Sequence, residues 1–313
     1  MQFYSLVNLN MIKKHFIYFF VFFINILFAQ NELPSPSKNE EIVRHSGFTL
    51  SYNETYEQAS WVAYELTADE LIKRVKRSDN FKIDDKVSTG SALPSDYAKS
   101  GYDRGHLAPA ADLSWSELSM KESFFMSNMS PQKPGFNRGI WKKLEGYVRQ
   151  WASDNGSIYV VTGGVLKDID QYIGKSNVGV PKYFYKVILD YEGLDIKGIA
   201  FIIPNDSSSR KLQTYATSID EVELLTGIDF FHSLPDDKEF LLESKFDINQ
   251  WRFKTFESET NIISSSTSLI ESLKENSRTF YPSDLVQCSG ITKKGLRCKR
   301  KTSNSSGYCF QHD

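Results

Sequence analysis

Cysteine is missing from the first 287 residues of this 313-residue chain, and the three present, Cys288, Cys298 and Cys309, all sit at the C-terminal end. The main body is therefore neither a disulfide scaffold nor a thiol enzyme. With 10 prolines and 18 glycines the chain is too poor in both to be collagen-like or low-complexity, and its 40% hydrophobic and 14% aromatic side chains supply a core. No apolar run reaches the roughly 20 residues of a membrane span; the one near the N-terminus, residues 16–29, has 14 positions and includes Tyr18 and Asn25. Several catalytic patterns are absent too. There is no Gly-x-Ser-x-Gly elbow, no His-Glu-x-x-His and no dinucleotide fingerprint, and Gly174-Lys175-Ser176 lacks the first glycine of a phosphate loop because Ile169 stands there. Histidine is scarce: outside His15 and His312, near the two ends, a general base must be His45, His106 or His232.

What is present is unevenly distributed. The net charge of −2 comprises +2 in residues 1–30, +5 in residues 288–313 and therefore −9 between them. A polyanion meeting that acidic body needs a local basic cluster to hold it. Lys13-Lys14, the apolar run, small Ala29 and polar Gln30-Asn31-Glu32 have the layout of a signal peptide over residues 1–29, with Met11 as an alternative start. The other reading of this segment is a retained anchor. Removal of the leader implies a secreted or periplasmic chain starting near Gln30, with no stable membrane association.

A polar spacer with Pro34 and Pro36 covers residues 30–44, and strand-like and helix-like stretches then mix over residues 45–256. β-Branched and aromatic runs predict strands at 157–162, 183–189 and 198–203. Capping residues and apolar spacing predict helices at 116–125, from 138 to about 152, and at 217–225, the last capped by Thr217 or Ser218. The pattern is α+β, without regular strand–helix alternation. Residues 257–287 read as a Ser-rich linker and residues 288–313 as a small basic module.

His106 lies in Asp103-Arg104-Gly105-His106, and further on come Ser127-Asn128, Pro131-Gln132-Lys133, Asn137 to Trp141, Glu145 and Arg149. On a regular helix Asn137 and Glu145 are about 80° apart around the axis, with Arg149 one turn beyond Glu145, so the polar groups share one side. Ile140, Leu144, Val148 and Trp151 form the opposite, buried stripe.

Together with Arg77, Phe81 and Asp84 upstream, these residues resemble the DNA/RNA non-specific endonuclease family, which includes mitochondrial endonuclease G and secreted bacterial nucleases. The resemblance covers residues 45–256. It implies a ββα-metal (His-Me finger) fold, with a central antiparallel sheet flanked by helices, and Mg²⁺-dependent cleavage of DNA and RNA that leaves 5′-phosphate ends. It assigns His106 as general base, Asn137 as direct ligand of Mg²⁺ or another divalent cation, and Glu145 as a ligand through water. Arg77, Arg104 and Arg149 would face the phosphate, Asn128 and Gln132 would orient groups beside it, and Asp103 would be structural. DNA and RNA are the implied partners, no organic cofactor is called for, and a homodimer is compatible with the reading. A binding protein that has lost cleavage and a phosphodiesterase for small molecules are the rival readings.

The tail offers four candidate ligands, Cys288, Cys298, Cys309 and His312, and Cys-x₂-His is a normal Zn²⁺ spacing. An oxidising compartment would favour a disulfide and one free thiol instead. Both readings stay open at this point, as does the use of the six basic side chains of this module to grip nucleic acid.

Overall fold

The computed structural model describes residues 33–35, 39–191, 195–253, 286–291, 297–298 and 301–302. The expected leader, most of the expected linker, Cys309 and His312 lie outside the described residues. The chain divides into two compact units, Met1–Trp251 and Arg252–Asp313.

In the first unit the strands run β1 (Glu41–Arg44), β2 (Thr49–Asn53), β3 (Gln58–Thr67), β4 (Asp103–His106), β5 (Met129–Gln132), β6 (Ser157–Gly164), β7 (Tyr172–Ile173), β8 (Val178–Gly179), β9 (Tyr183–Asp190), β10 (Lys197–Pro204) and β11 (Ala216–Thr217). The helices are α1 (Glu117–Glu122), α2 (Lys142–Asn155), α3 (Ile219–Thr226) and α4 (Asp236–Ser244). Seven strands make one antiparallel sheet in the order β1-β2-β3-β6-β9-β10-β11, while β4-β5 and β7-β8 form separate hairpins.

Strand alternation assigns the two faces of the sheet. Tyr185, Val187 and Leu189 of β9 join Trp61, Ala63, Val161 and Ala200 in a core closed by Ile219 and Val222 of α3 and Leu242 of α4. The even-numbered residues of β9 face the other way. There Phe184 stacks on Phe136 at 5.1 Å, and Trp151 of α2 stacks on Phe201 at 6.1 Å. The expected stripe Ile140, Leu144, Val148 and Trp151 is buried, and each large apolar side chain so covered contributes about 1.5–3 kcal/mol.

Ser116 caps α1 by accepting the Ser119 N–H at 3.0 Å, and Ser218 caps α3 by accepting the Glu221 N–H at 3.3 Å. Two expectations differ from the structure. The stretch read as a polar spacer contains β1, an edge strand whose single fully buried residue, Val43, gives little apolar signal. The helix expected from residue 138 opens instead with a π-helical turn, Phe136–Trp141, because Gly139 takes φ −103° and ψ −110°, outside helical space. Regular α2 starts at Lys142, so the angular offset of an ideal helix does not apply between Asn137 and Glu145.

In the second unit β12 (Val286–Gln287) pairs antiparallel with β13 (Lys301–Thr302), and a bridge joins Ile291 to Arg297. Cys288 and Cys298 are buried, the Cys298 N–H donates to the Gly290 carbonyl at 2.8 Å, and the Gly290 N–H donates to Cys288 Sγ at 3.2 Å. Among the described residues no helix is long and apolar enough to cross a membrane.

Candidate active site

The β4–β5 hairpin and the turn into α2 carry most of the residues singled out by sequence. In the hairpin register Asp103 opposes Gln132, Arg104 opposes Pro131, Gly105 opposes Ser130 and His106 opposes Met129. Arg104 and His106 therefore share a face. Gly105 is demanded by the partner strand: a Cβ there would fall 2.2 Å from the side chain of Gln132. Gln132 is itself fully buried, and neither its amide nitrogen nor its oxygen has a hydrogen-bond partner.

His106 is buried between two rings, edge-on to Phe124 at 4.9 Å and tilted to Phe81 at 5.9 Å. Its Nε2 has no hydrogen-bond partner. Burial first, and then the positive charge of Arg77, push the imidazole down to about 3 against the opposing pull of Asp79. It is neutral at neutral pH, the state a proton acceptor requires. The same two rings seat two guanidinium groups, Arg77 over Phe124 at 4.9 Å and Arg104 over Phe81 at 5.0 Å. Arg104 also donates to the Pro94 carbonyl at 2.8 Å, and exposed Arg77 pairs with Asp79 at 2.6 Å.

Asp103 orders the next element. It receives the Asn137 Nδ2–H at 2.9 Å and a two-pronged contact from Arg138 at 2.8 and 2.6 Å. Burial would raise its carboxyl, but the hydrogen bonds from Arg138 and Asn137 outweigh that and hold it below the usual carboxylate range. Only an amide NH₂ can donate to a carboxylate, so this bond leaves Asn137 Oδ1 as the outward, acceptor end.

Glu145, half-buried on the first turn of α2, makes no hydrogen bond among the described residues. Burial pushes its carboxyl up to about 7, opposed chiefly by Lys186. Arg149 is held by buried Asp112 at 2.7 Å, and Asp112 also accepts the Tyr64 hydroxyl at 2.9 Å. Asn128 commits its whole amide to backbone: Oδ1 accepts from the Ala108 N–H, and Nδ2 donates to the Ala108 and Ser123 carbonyls, all at 2.9 Å. It thus braces the loop that follows His106. Next to it, Ser127 and His45 both bind Asp84 Oδ2, at 2.5 and 2.9 Å, so His45 is occupied in a structural network.

The donors available for a cation are a neutral amide oxygen and a carboxylate with no other hydrogen-bond commitment, both hard oxygen ligands suited to a divalent ion that keeps much of its water. Among the described residues, groups of three carboxylates within ligand reach occur only around α3 and α4. A cation at Asn137 and Glu145 would take the rest of its shell from water and phosphate.

Sequence reasoning missed Lys186 and Asp112. Lys186 is fully buried in β9, its Nζ has no hydrogen-bond partner and lies 4.7 Å from the Trp141 ring, and burial lowers its ammonium to about 8 while Glu145 and Asp112 pull it up. The available signal was a lysine within an apolar strand, on the face that alternation turns toward α2.

The chain is also similar to known proteins of one family. Residues 27–237 match the family described as DNA/RNA non-specific endonuclease. A nuclease of Nostoc sp. is 38% identical over 215 residues, covering 64% of this chain and 76% of the relative, and nuclease C1 of Cunninghamella echinulata is 36% identical over 64% and 86%. Human mitochondrial endonuclease G is 32% identical over 61% of this chain and 69% of its own. Among solved structures, the EndoG/EndoGI complex has a chain with TM-score 0.60 and 30% identity that covers 66% of this chain and 90% of its own. The expected ββα-metal fold, with a central antiparallel sheet and flanking helices, is the one found.

Proposed function

Since this chain belongs to the DNA/RNA non-specific endonuclease family, we propose that it cleaves both nucleic acids with His106 as general base and with Mg²⁺ held directly by Asn137 and through water by Glu145. Hydrolysis of phosphodiester bonds is the family's reaction, and the residues supply its parts. His106, neutral and beside two guanidinium groups, accepts a proton from the attacking water. Bound phosphate offsets the charge of Arg77, so the imidazole becomes more basic when substrate is in place. Arg77 and Arg104, seated on aromatic rings, stabilise the charge that builds on the phosphoryl oxygens, and Arg149 supports Glu145 and Asp112 from behind. A divalent cation held by Asn137 and Glu145 would supply Lewis-acid charge at the phosphate, in keeping with 5′-phosphate products. Asp103, Asn128 and Gln132 act by position: Asp103 aims Asn137, Asn128 fixes the loop after His106, and Gln132 fills the space beside Gly105.

In the same proposal residues 1–29 are a signal peptide and the chain works as a secreted or periplasmic enzyme, with the catalytic domain ending near residue 256. Residues 288–313 hold Zn²⁺ through Cys288, Cys298, Cys309 and His312. The Gly290 N–H on Cys288 Sγ, at 3.2 Å, supports this because such a bond favours a thiolate.

The observation that carries the catalytic reading is the neutral His106 flanked by two rings that each seat a guanidinium group, with Asn137 turned by Asp103 to present its oxygen. Plasmid DNA and RNA should each be degraded with Mg²⁺ and spared with chelator. His106→Ala should abolish cleavage while still binding DNA, and wild-type-like rates from this variant would remove His106 from the mechanism.

A further inference from the structure

Residues 73–77 read Lys-Arg-Val-Lys-Arg, four cations in five positions within a body of net charge −9. They line an open cleft of about 510 Å³. Lys73, Arg74 and Lys76 are exposed and form no ion pair among the described residues, whereas most other basic groups near the site, Arg149, Arg138 and Arg77, have carboxylate partners. The backbone under them is held in place. The Arg74 and Val75 N–H groups both donate to the Ser114 carbonyl, at 2.9 and 3.1 Å, which fixes the segment to the loop that follows His106.

The cleft adjoins the candidate catalytic residues through Arg77. Its floor includes Ala110 and Met120, which pack with Phe124, Val75 and Phe81 in one small apolar cluster. Phe124 and Phe81 are the rings that flank His106. Arg77 belongs to both places, lining the cleft while its guanidinium lies over Phe124. A strand whose scissile phosphate lies at His106 and Arg77 can thus continue onto Lys76, Arg74 and Lys73, which line the same cleft as Arg77.

We infer that residues 73–76 and the cleft beside them form a backbone-binding track that grips the phosphates flanking the scissile one. The inference rests on the nuclease reading of the site. From residue 73 to residue 76 an extended chain reaches at most about 10 Å, and a strand of B-DNA carries a phosphate every 3.4 Å or so of axis, so the track spans roughly three phosphates. Its contacts are to backbone alone, which suits an enzyme that does not read base sequence. It also answers the charge problem of the molecule: the acidic body repels nucleic acid, and this unpaired basic run supplies the local attraction.

The test is the triple variant Lys73→Gln/Arg74→Gln/Lys76→Gln in the full chain, assayed on plasmid DNA and on a small phosphodiester with no neighbouring phosphate. All three side chains are exposed, so the fold is expected to be unchanged. KM for plasmid should rise about tenfold or more near 150 mM salt with kcat within about twofold, and the slope of log KM against log salt should flatten by about 3, since each of the three lost phosphate contacts removes close to one unit. Turnover of the small diester should not change. Unchanged KM and salt slope on plasmid would overturn the track while leaving the catalytic site intact. Equal losses on both substrates would overturn it as well, by placing these residues in the chemistry.

Discussion

At the scale of single residues, the candidate site depends on side chains that set the orientation of others. Asp103 holds Asn137 Nδ2 at 2.9 Å and so decides which end of the amide faces outward. Asp103→Ala frees that amide to rotate, and the Mg²⁺ concentration for half-maximal cleavage should rise about 10- to 100-fold, the usual loss when a ligand's supporting partner is removed. Stability should fall only slightly, because the Arg138 contact is largely exposed. A magnesium titration that superimposes on wild type would refute this role. His106 makes a second prediction, in stability. Its folded-state value, about 3, lies below the ordinary unfolded value of about 6.5. Above pH 6.5 neither state binds the proton and the residue contributes no pH dependence. Below it the unfolded chain takes up a proton that the native state refuses, so stability falls by up to about 1.4 kcal/mol per pH unit. Urea unfolding of wild type and His106→Gln at pH 7 and pH 5 should show the variant gaining about 2 kcal/mol relative to wild type at the lower pH. Parallel pH dependence in the two proteins would contradict the buried neutral imidazole.

At the scale of elements, the hairpin β4–β5 works because one of its positions has no side chain. A methyl group at residue 105 would overlap the buried Gln132. Gly105→Ala should cost about 1–3 kcal/mol, as overpacked cores do, and should lower cleavage by shifting β4 and His106 with it. The double variant Gly105→Ala/Gln132→Ala should recover most of that stability, measured by thermal melting of the four proteins of the cycle. Additive losses would place the strain elsewhere. Elements like this one also mark how far the sequence could be read. The strands at β6, β9 and β10 and a cap at Thr217 or Ser218, which the structure resolves as Ser218, were legible because periodicity and capping are local properties. The π-helical turn was not, because nothing in Phe-Asn-Arg-Gly-Ile-Trp announces that Gly139 will leave helical space. Nor was β1, whose four residues bury one apolar side chain. Among the candidate site residues, His106, Asn137 and Glu145 could be named from a spaced motif and the family it resembles. Lys186 could not, since its burial is tolerable only next to Glu145, Asp112 and the Trp141 ring, which tertiary structure delivers from other segments.

At the scale of the whole molecule, two compact units of opposite charge share one chain. Met1–Trp251 carries −6 and Arg252–Asp313 carries +4, made up of −1 in residues 252–287 and +5 in residues 288–313. A module of that size, well under the roughly 40 residues that can sustain a core unaided, needs a cross-link or a metal to hold a fold. Buried Cys288 and Cys298, brought close by the 2.8 Å bond from the Cys298 N–H to the Gly290 carbonyl, are suited to supply part of one. If that cross-link is Zn²⁺, the full chain should purify with about one zinc per chain and with thiols protected from alkylation until a strong zinc chelator is added. The catalytic unit has its own core through Trp251, which packs edge-on against Trp151 at 5.0 Å. Stripping zinc and then restoring Mg²⁺ should therefore leave turnover of a small phosphodiester unchanged. Long DNA should behave differently, because a tethered basic module raises the local concentration of substrate, and loss of its fold should raise KM for plasmid. Two thiols fewer than expected in the untreated chain, with no bound zinc, would replace the metal by a disulfide. Equal loss on long and short substrates would instead make the tail part of the catalytic unit.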